Sequence, residues 1–490
     1  MKISNLPNKN TSIGFHSSIV QFILSGAEGS QPFNPNVDLQ HSDRRLIKLF
    51  ATFFNLIFTI CCAAFLLSSC SLSTQISKQA TQLLLKDSII NTGHIGISIY
   101  EPATDKYWYN YDATKYFVPA SNVKLFSLYA GMKYLGDSLV GLRYQQKLQE
   151  LIIYPTGDPS FLHPDFKQQP VFYFLSKSNN ISYCTQHFSA ALGYGWAWDD
   201  YLEAYMVQRS EFPVYGNLAR VFTHGDTVIV IPKNIPLHIQ NENEKPANDN
   251  ENILSRKWDS NELTLTASSA LLTKKNYEIP LVTGLQELQN FLSDTLHKKI
   301  NFTDGRDSLP GEYKNFTKIY SQPTDSLFKP MMYNSDNFFA EQTLLMASNE
   351  HIGYMNDAAM IDTLLKADLK DIPQKPRWVD GSGLSRYNLF SPQSFVYLLN
   401  KMKNEFGMER LKVILPTGGS GTFKNYYQQD SGFIYAKTGS LSNHIAISGF
   451  LLTKKGRWII FSILTNQFQG SATKVRRAQE KFLEGIRQKY

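Results

Sequence analysis

The chain has 490 residues, 42% hydrophobic and 19% charged, with 49 Lys and Arg against 42 Asp and Glu for a formal net charge of +7. This length allows about three domains, and the balance excludes wholesale disorder, a collagenous chain and a disulfide-stapled miniprotein. The basic excess is small and forms no long run, so no nucleic-acid partner is expected.

The first local signal lies near the N-terminus. Arg44, Arg45 and Lys48 precede a 19-residue apolar run from Leu49 to Leu67, which ends in Leu67-Ser68-Ser69-Cys70 and a polar stretch. Charged, apolar and small residues in this order describe a secretory signal, and the tetrad resembles a bacterial lipobox. The expectation is an exported lipoprotein, anchored to a membrane by lipid on Cys70 and facing the periplasm or cell wall. The competing reading is an uncleaved transmembrane helix, because 19 residues just span a bilayer. Residues 1–43 are polar and carry no assigned function. Residues 1–69 are thus read as extension and signal peptide. The cysteines are Cys61, Cys62, Cys70 and Cys184, with no CxxC and no Cys/His cluster, so no metal site is expected.

Downstream, residues 74–88 read as a helix, with Ile76, Ala80, Leu83 and Leu84 along one side. Ile95 to Tyr100 alternates as a strand, Asp105-Lys106 turns, and Tyr107 to Tyr111 returns. Pro119 precedes a helix near Ser121, whose far side carries Leu125, Leu128, Met132 and Leu135. From 141 to about 320 the texture becomes short strands, such as Leu151 to Tyr154, Thr227 to Ile231 and Leu263 to Thr266, and the Asn-rich Gln240 to Glu251 reads as a loop. Helical periodicity returns at Asn337 to Met346 and Pro392 to Met402. The chain closes with strands led by Phe433 to Ala436, Ile445 to Leu452 and Trp458 to Leu464, then a helix from Ser471 to Gln488. Strands at both ends with helices between them predict an α+β catalytic domain, an antiparallel sheet flanked by helices, built from 70–140 plus 320–490. The inserted accessory region, 141–319, is expected to be largely β and to form one or two small domains.

Three short motifs bear on chemistry. Ser121-Asn122-Val123-Lys124 places a hydroxyl and an amine on one helix face. A serine hydroxyl is a weak nucleophile without a base, and a lysine serves as that base once its pKa is depressed. Alone, the tetrad is better read as a solvated helix surface, and Ser326–Lys329 and Ser471–Lys474 repeat it. Ser335-Asp336-Asn337 offers a second hydroxyl and a carboxamide, but alone it reads as a helix N-cap. Lys437-Thr438-Gly439 joins a cation, a hydroxyl and a glycine that lets a substrate backbone approach an edge strand, and is expected at a strand end; alone it reads as a turn.

Together the motifs stand in one order, and only Ser121 lies well upstream of both others. This set resembles the penicillin-recognising serine enzymes. Ser335 follows Ser121 by 214 residues and Lys437 follows Ser335 by 102. The long first gap resembles the class C low-molecular-mass penicillin-binding proteins, the D-alanyl-D-alanine carboxypeptidase/endopeptidase family (peptidase family S13). Pro119-Ala120-Ser121, Gly157-Asp158-Pro159-Ser160, Gly195 to Asp200, Asp380 to Arg386 with Asn388 and Ser391-Pro392, and Leu415-Pro416 with Gly418, Gly421 and Thr422 are similar to family segments. The resemblance covers about residues 75–488.

It implies a β-lactamase/transpeptidase-like fold and a serine-type D-Ala-D-Ala carboxypeptidase/endopeptidase that needs no cofactor. Peptidoglycan stem peptides would be substrates, and β-lactam antibiotics would acylate the enzyme. By resemblance Ser121 is the nucleophile, Lys124 its base, and Ser335 and Lys437 relay the proton to the leaving amine. Asn337 holds Lys124 and the substrate amide. Lys437 and Thr438 bind the terminal carboxylate, Gly439 lies on the substrate-binding strand, and the N–H groups of Ser121 and Ser440 form the oxyanion hole. The nearby Lys437 is expected to help depress Lys124. The alternatives are a serine β-lactamase, for which no ExxLN-type segment is found between the first two motifs, and a catalytically idle wall-binding lipoprotein.

Overall fold

The structure is a computed structural model that describes residues 52–53, 72–224, 227–241, 253–267, 275–305 and 311–490. The expectations placed on the leader, Cys70 included, lie outside the described residues, as does most of the Asn-rich stretch; Gln240 and Asn241 belong to the strand Leu237–Asn241. Residues 71–490 form one compact unit. Among the described residues no helix is long and apolar enough to cross a membrane.

The architecture is α+β. Both chain ends contribute to one antiparallel five-stranded sheet, ordered Ile434–Leu441, His444–Leu452, Trp458–Asn466, His94–Glu101, Lys106–Tyr111. Its strands are apolar on both faces, with the period of two expected of a pleated strand. In Trp458–Asn466, Ile460 and Leu464 enter one core while Ile459, Phe461 and Ile463 enter the other. The first core lies between the sheet and the helices Lys124–Tyr134, Asn337–His351 and Pro392–Phe406. The second is closed by the N-terminal helical segment, through Ile76, Ala80 and Leu84, and by the final helix Ala472–Lys489, through Val475, Phe482, Leu483 and Ile486. Helices therefore cover both faces of the sheet's three central strands, while the edge strand Lys106–Tyr111 is largely exposed.

The middle of the chain is mostly strand. A second five-stranded sheet is ordered Ile300–Thr303, Ile181–Cys184, Glu150–Tyr154, Ser138–Lys147, Thr317–Pro323, and two three-stranded sheets lie between its members in sequence. Two helices, Pro170–Ser176 and Leu285–Leu296, pack with these sheets around a third core.

One expectation changes. Lys437-Thr438-Gly439 does not sit at a strand end but in the middle of Ile434–Leu441, the edge strand of the first sheet, paired with Ser448, Ile447 and Ala446. The glycine that read as a turn signal is there for a close approach: a Cβ on Gly439 would sit 2.6 Å from the Pro119 carbonyl oxygen and 3.0 Å from the Ser121 nitrogen.

Candidate active site

Ser121 lies in a 3₁₀ turn, Ala120–Val123, that runs directly into the buried helix starting at Lys124. Ala120 adopts φ 48°, a left-handed conformation that costs a non-glycine residue on the order of 1 kcal/mol. The turn is pinned to the sheet by Asn122, whose Nδ2 donates to Ser448 Oγ at 2.8 Å, and Ser448 in turn donates to Ser462. The turn and helix bring Lys124 Nζ to 2.9 Å from Ser121 Oγ.

Lys124 is fully buried, and its amine meets two further acceptors, Asn337 Oδ1 at 2.6 Å and the Ser382 carbonyl at 2.8 Å. Three acceptors match the three protons of an ammonium. In the neutral amine, two N–H groups hold Asn337 and Ser382, and the lone pair faces the Ser121 hydroxyl. Burial is the largest influence and pushes the Lys124 pKa down to about 8, against Asp336, Asp380 and Glu341, which pull it up. Burial, then the charge of Lys124, hold Lys437 well below the usual lysine range, and because repulsion between the two amines is mutual, each favours the neutral form of the other.

Asp336 caps the helix Asn337–His351 by accepting from the Phe339 N–H at 2.8 Å. The N-cap reading of this triplet is thus correct for its middle residue, while its outer residues face the cleft. Ser335 adopts φ 59° just before the cap, and its hydroxyl lies 2.8 Å from Lys437 Nζ. Asn337 Nδ2 donates to the Tyr205 carbonyl at 2.8 Å, so the amide orientation is set with Oδ1 toward Lys124. Lys437 is buried and also donates to the Thr438 carbonyl at 2.7 Å.

The Asp380-Gly381-Ser382-Gly383 segment supplies a partner of Lys124 that the motifs alone do not reveal, the Ser382 carbonyl. Asp380 organises its own turn by accepting from the N–H groups of Gly383 (2.9 Å) and Ser385 (2.7 Å), from Asn388 Nδ2 (2.7 Å) and from Trp196 Nε1 (3.0 Å). Gly383 is at φ +83° against the Ala120–Val123 turn, where a Cβ would sit 1.9 Å from the Ala120 oxygen. Ser382 N–H donates to Glu341 at 2.7 Å, and Glu341 shares the buried Arg209 with Asp357 at 3.3 and 2.6 Å. Burial and Asp380 push the Glu341 carboxyl up, while Arg209 pulls it down. Glu341 and Arg209 escape sequence reasoning because they lie 132 residues apart and neither belongs to a local pattern.

The remaining family-like segments also have structural tasks. Asp158 caps the turn at Gly157 by accepting from Ser160 N–H at 2.9 Å. Ser391 caps the helix Pro392–Phe406, and the Pro416 carbonyl accepts from Ala436 N–H beside the edge strand. The other two SxxK tetrads are elsewhere: Ser326, Lys329, Ser471 and Lys474 are all exposed.

Ser121 and Ser335 lie where two lobes of a cleft meet. One lobe, about 360 Å³, is lined by Thr438, Gly439, Ser440, Thr422, Tyr426 and Arg476 among others. The second, about 560 Å³, is lined by Gly195, Asp199, Asp200, Tyr205, Gly383 and Arg386 among others. A hydroxyl against a neutralisable buried amine, with a second hydroxyl–amine pair across the cleft, is an arrangement able to form and release an acyl ester. Among the described residues no cluster of His, Cys, Asp and Glu could hold a metal ion.

Comparison with known proteins agrees with this arrangement. The sequence is 24% identical over 408 residues to D-alanyl-D-alanine carboxypeptidase DacB of Haemophilus influenzae, covering 73% of this chain and 82% of that protein. It is 28% identical over 182 residues to penicillin-sensitive carboxypeptidase A of Dictyostelium discoideum, a match that spans 34% of each chain. The fold is similar to the crystal structure of penicillin-binding protein 4 from H. influenzae, with a TM-score of 0.66 at 20% identity over 84% of this chain and 99% of that one. The sequence model of the D-Ala-D-Ala carboxypeptidase 3 (S13) family matches residues 77–485, and the chain belongs to that family.

Proposed function

We propose that the chain is a serine-type D-Ala-D-Ala carboxypeptidase/endopeptidase that works on peptidoglycan stem peptides through an acyl-enzyme and is acylated by β-lactams. The observation that carries this reading is the buried Lys124 amine, 2.9 Å from Ser121 Oγ and aimed by Asn337 and Ser382. Ser121 Oγ attacks the carbonyl carbon of the penultimate D-alanine while neutral Lys124 takes its proton. The N–H groups of Ser121 and Ser440 receive the oxyanion, a contribution of about 3–4 kcal/mol per donor in comparable sites. The C–N bond then breaks as the leaving amine takes a proton from Ser335, and the proton that Lys124 took from Ser121 passes by way of Lys437 to Ser335, so that Lys124 is neutral again. Asn337 holds Lys124 and the substrate amide, Thr438 contacts the terminal carboxylate, and Gly439 admits the substrate backbone. Water, deprotonated by Lys124, hydrolyses the Ser121 ester.

Residues 70–140 and 320–490 form the catalytic domain in this reading, and 141–319 the accessory region. Lipid on Cys70 after removal of residues 1–69 holds the enzyme at a membrane facing the cell wall, beside its substrate. Radiolabelled fatty acid fed to expressing cells tests the anchor: label is expected on the chain and not on Cys70→Ala.

The activity is tested with a fluorescent penicillin. Covalent label mapping to Ser121 is expected. Absence of label, or label that persists in Ser121→Ala, overturns the reading.

A further inference from the structure

The reaction needs a positive charge for the terminal carboxylate of the substrate, and Lys437 is poorly placed to supply it. Its Nζ is buried and committed to Ser335 Oγ and the Thr438 carbonyl. Burial and the neighbouring Lys124 favour its neutral form, which suits a proton relay and not a carboxylate anchor.

The lobe that contains Thr438 holds another candidate. Among the described residues lining it, Arg476 alone carries a formal charge. Arg476 is on the final helix, Ala472–Lys489, and its Nη2 donates to Ser440 Oγ at 2.9 Å. Ser440 is on the edge strand two residues past Thr438, so the guanidinium stands beside the hydroxyl row that a bound peptide end would meet. The carboxylate one turn along the helix, Glu480, pairs with Arg477 at 2.6 Å, and Arg476 makes no ion pair among the described residues. A half-buried guanidinium with five donors, one of them used, therefore faces a pocket without an anion. Arginine stays charged at any pH at which the enzyme works and matches a carboxylate in bidentate geometry.

We infer that Arg476 is a substrate-binding residue that takes up the free C-terminal carboxylate and thereby selects peptide ends. The inference rests on the carboxypeptidase reading above and extends it. In this arrangement charge recognition and proton relay are divided between two residues. Lys437 shuttles a proton as a buried amine, and Arg476 supplies the permanent charge from a different element.

The test uses the purified full chain and two N-acylated peptides, one ending in D-Ala-D-Ala and the other in its C-terminal amide. The wild type is expected to favour the acid. Arg476→Gln is expected to lower kcat/KM for the acid by about ten- to a hundredfold, mainly through KM, and that for the amide by much less, so that the preference for the acid shrinks. Arg476→Lys restores part of the preference. Equal losses for acid and amide would assign Arg476 the structural task of holding Ser440, and an undiminished acid preference in Arg476→Gln would exclude a binding role; either overturns the inference. A wild-type chain that cleaves neither peptide and takes no fluorescent penicillin overturns the carboxypeptidase reading itself, and the inference with it.

Discussion

Lys124 Nζ lies 2.9 Å from Ser121 Oγ, and the same nitrogen reaches Asn337 Oδ1 at 2.6 Å, 213 residues further along the chain. A single buried amine thus ties the first motif to the second. Across the cleft, Lys437 ties the third motif to the second through Ser335. Each pair joins one hydroxyl to one amine whose pKa is depressed by burial, and the two pairs flank the cleft.

The first expectation concerns pH. The base must be neutral to accept the Ser121 proton, and Lys124 is lowered to about 8. The second-order rate of penicillin acylation is therefore expected to rise with pH and to bend near 8, where an unshifted lysine would bend near 10.5. Lys124→Gln is expected to lose about 10²–10⁴ in that rate while keeping the fold. A rate flat from pH 6 to 9 would show that Lys124 is not the titrating base.

Gly439→Ala probes the approach of the edge strand to the nucleophile turn. The new methyl would meet the Pro119 oxygen at 2.6 Å and the Ser121 nitrogen at 3.0 Å, both backbone atoms that cannot rotate away. Moving the turn by even half an ångström misaligns the attack, so acylation is expected to fall by about a hundredfold with little change in Tm. Labelling kinetics beside a thermal melt separates the two effects.

The fold was legible wherever local periodicity matched the burial. His94–Glu101 announced itself through alternating isoleucines and Trp458–Asn466 through a near-continuous apolar run, and the final helix proves to bury Val475, Phe482, Leu483 and Ile486 along one face. The motif triplets were legible because catalysis constrains residue type at short spacing. What stayed hidden depends on long-range meeting: the Ser382 carbonyl, Glu341, Arg209 and Arg476 act at the site through contacts with no sequence period. The placement of Lys437-Thr438-Gly439 inside a strand was hidden for a different reason. A glycine after Lys-Thr carries a turn signal locally, and only the close packing against Pro119 and Ser121 explains it.

Arg209→Met tests the buried charge cluster. Arg209 faces Glu341 and Asp357 with almost no solvent, so its loss leaves two carboxylates without a counter-ion and is expected to cost about 3–5 kcal/mol in urea unfolding. The folded Glu341 carboxyl is already raised by burial, and without Arg209 it rises further. A carboxyl whose folded pKa exceeds its unfolded value loses stability as pH rises through that folded pKa. The deficit of Arg209→Met is therefore expected to be larger at pH 8 than at pH 6. A deficit independent of pH would mean that packing, not charge, is what Arg209 supplies.

Asp380→Asn is the sharper test of the turn that holds Lys124. Each Asp380 oxygen accepts two hydrogen bonds, Oδ1 from Gly383 N–H and Asn388 Nδ2, Oδ2 from Ser385 N–H and Trp196 Nε1. All four partners are donors, so in either amide orientation the new NH₂ group faces two donors and satisfies none. Two buried N–H groups would lose their acceptor, at about 1–3 kcal/mol each. The turn would relax where Gly383 abuts Ala120 and where the Ser382 carbonyl aims the base. The expected result is a lower Tm together with a reduced plateau rate of acylation, because the geometry around Lys124 suffers, and a bend moved to lower pH, because the Asp380 charge that pulls Lys124 up is gone. A bend displaced without loss of the plateau rate would instead mean that Asp380 acts on Lys124 through its charge alone, and an unchanged profile would mean that the Asp380 turn does not hold the base.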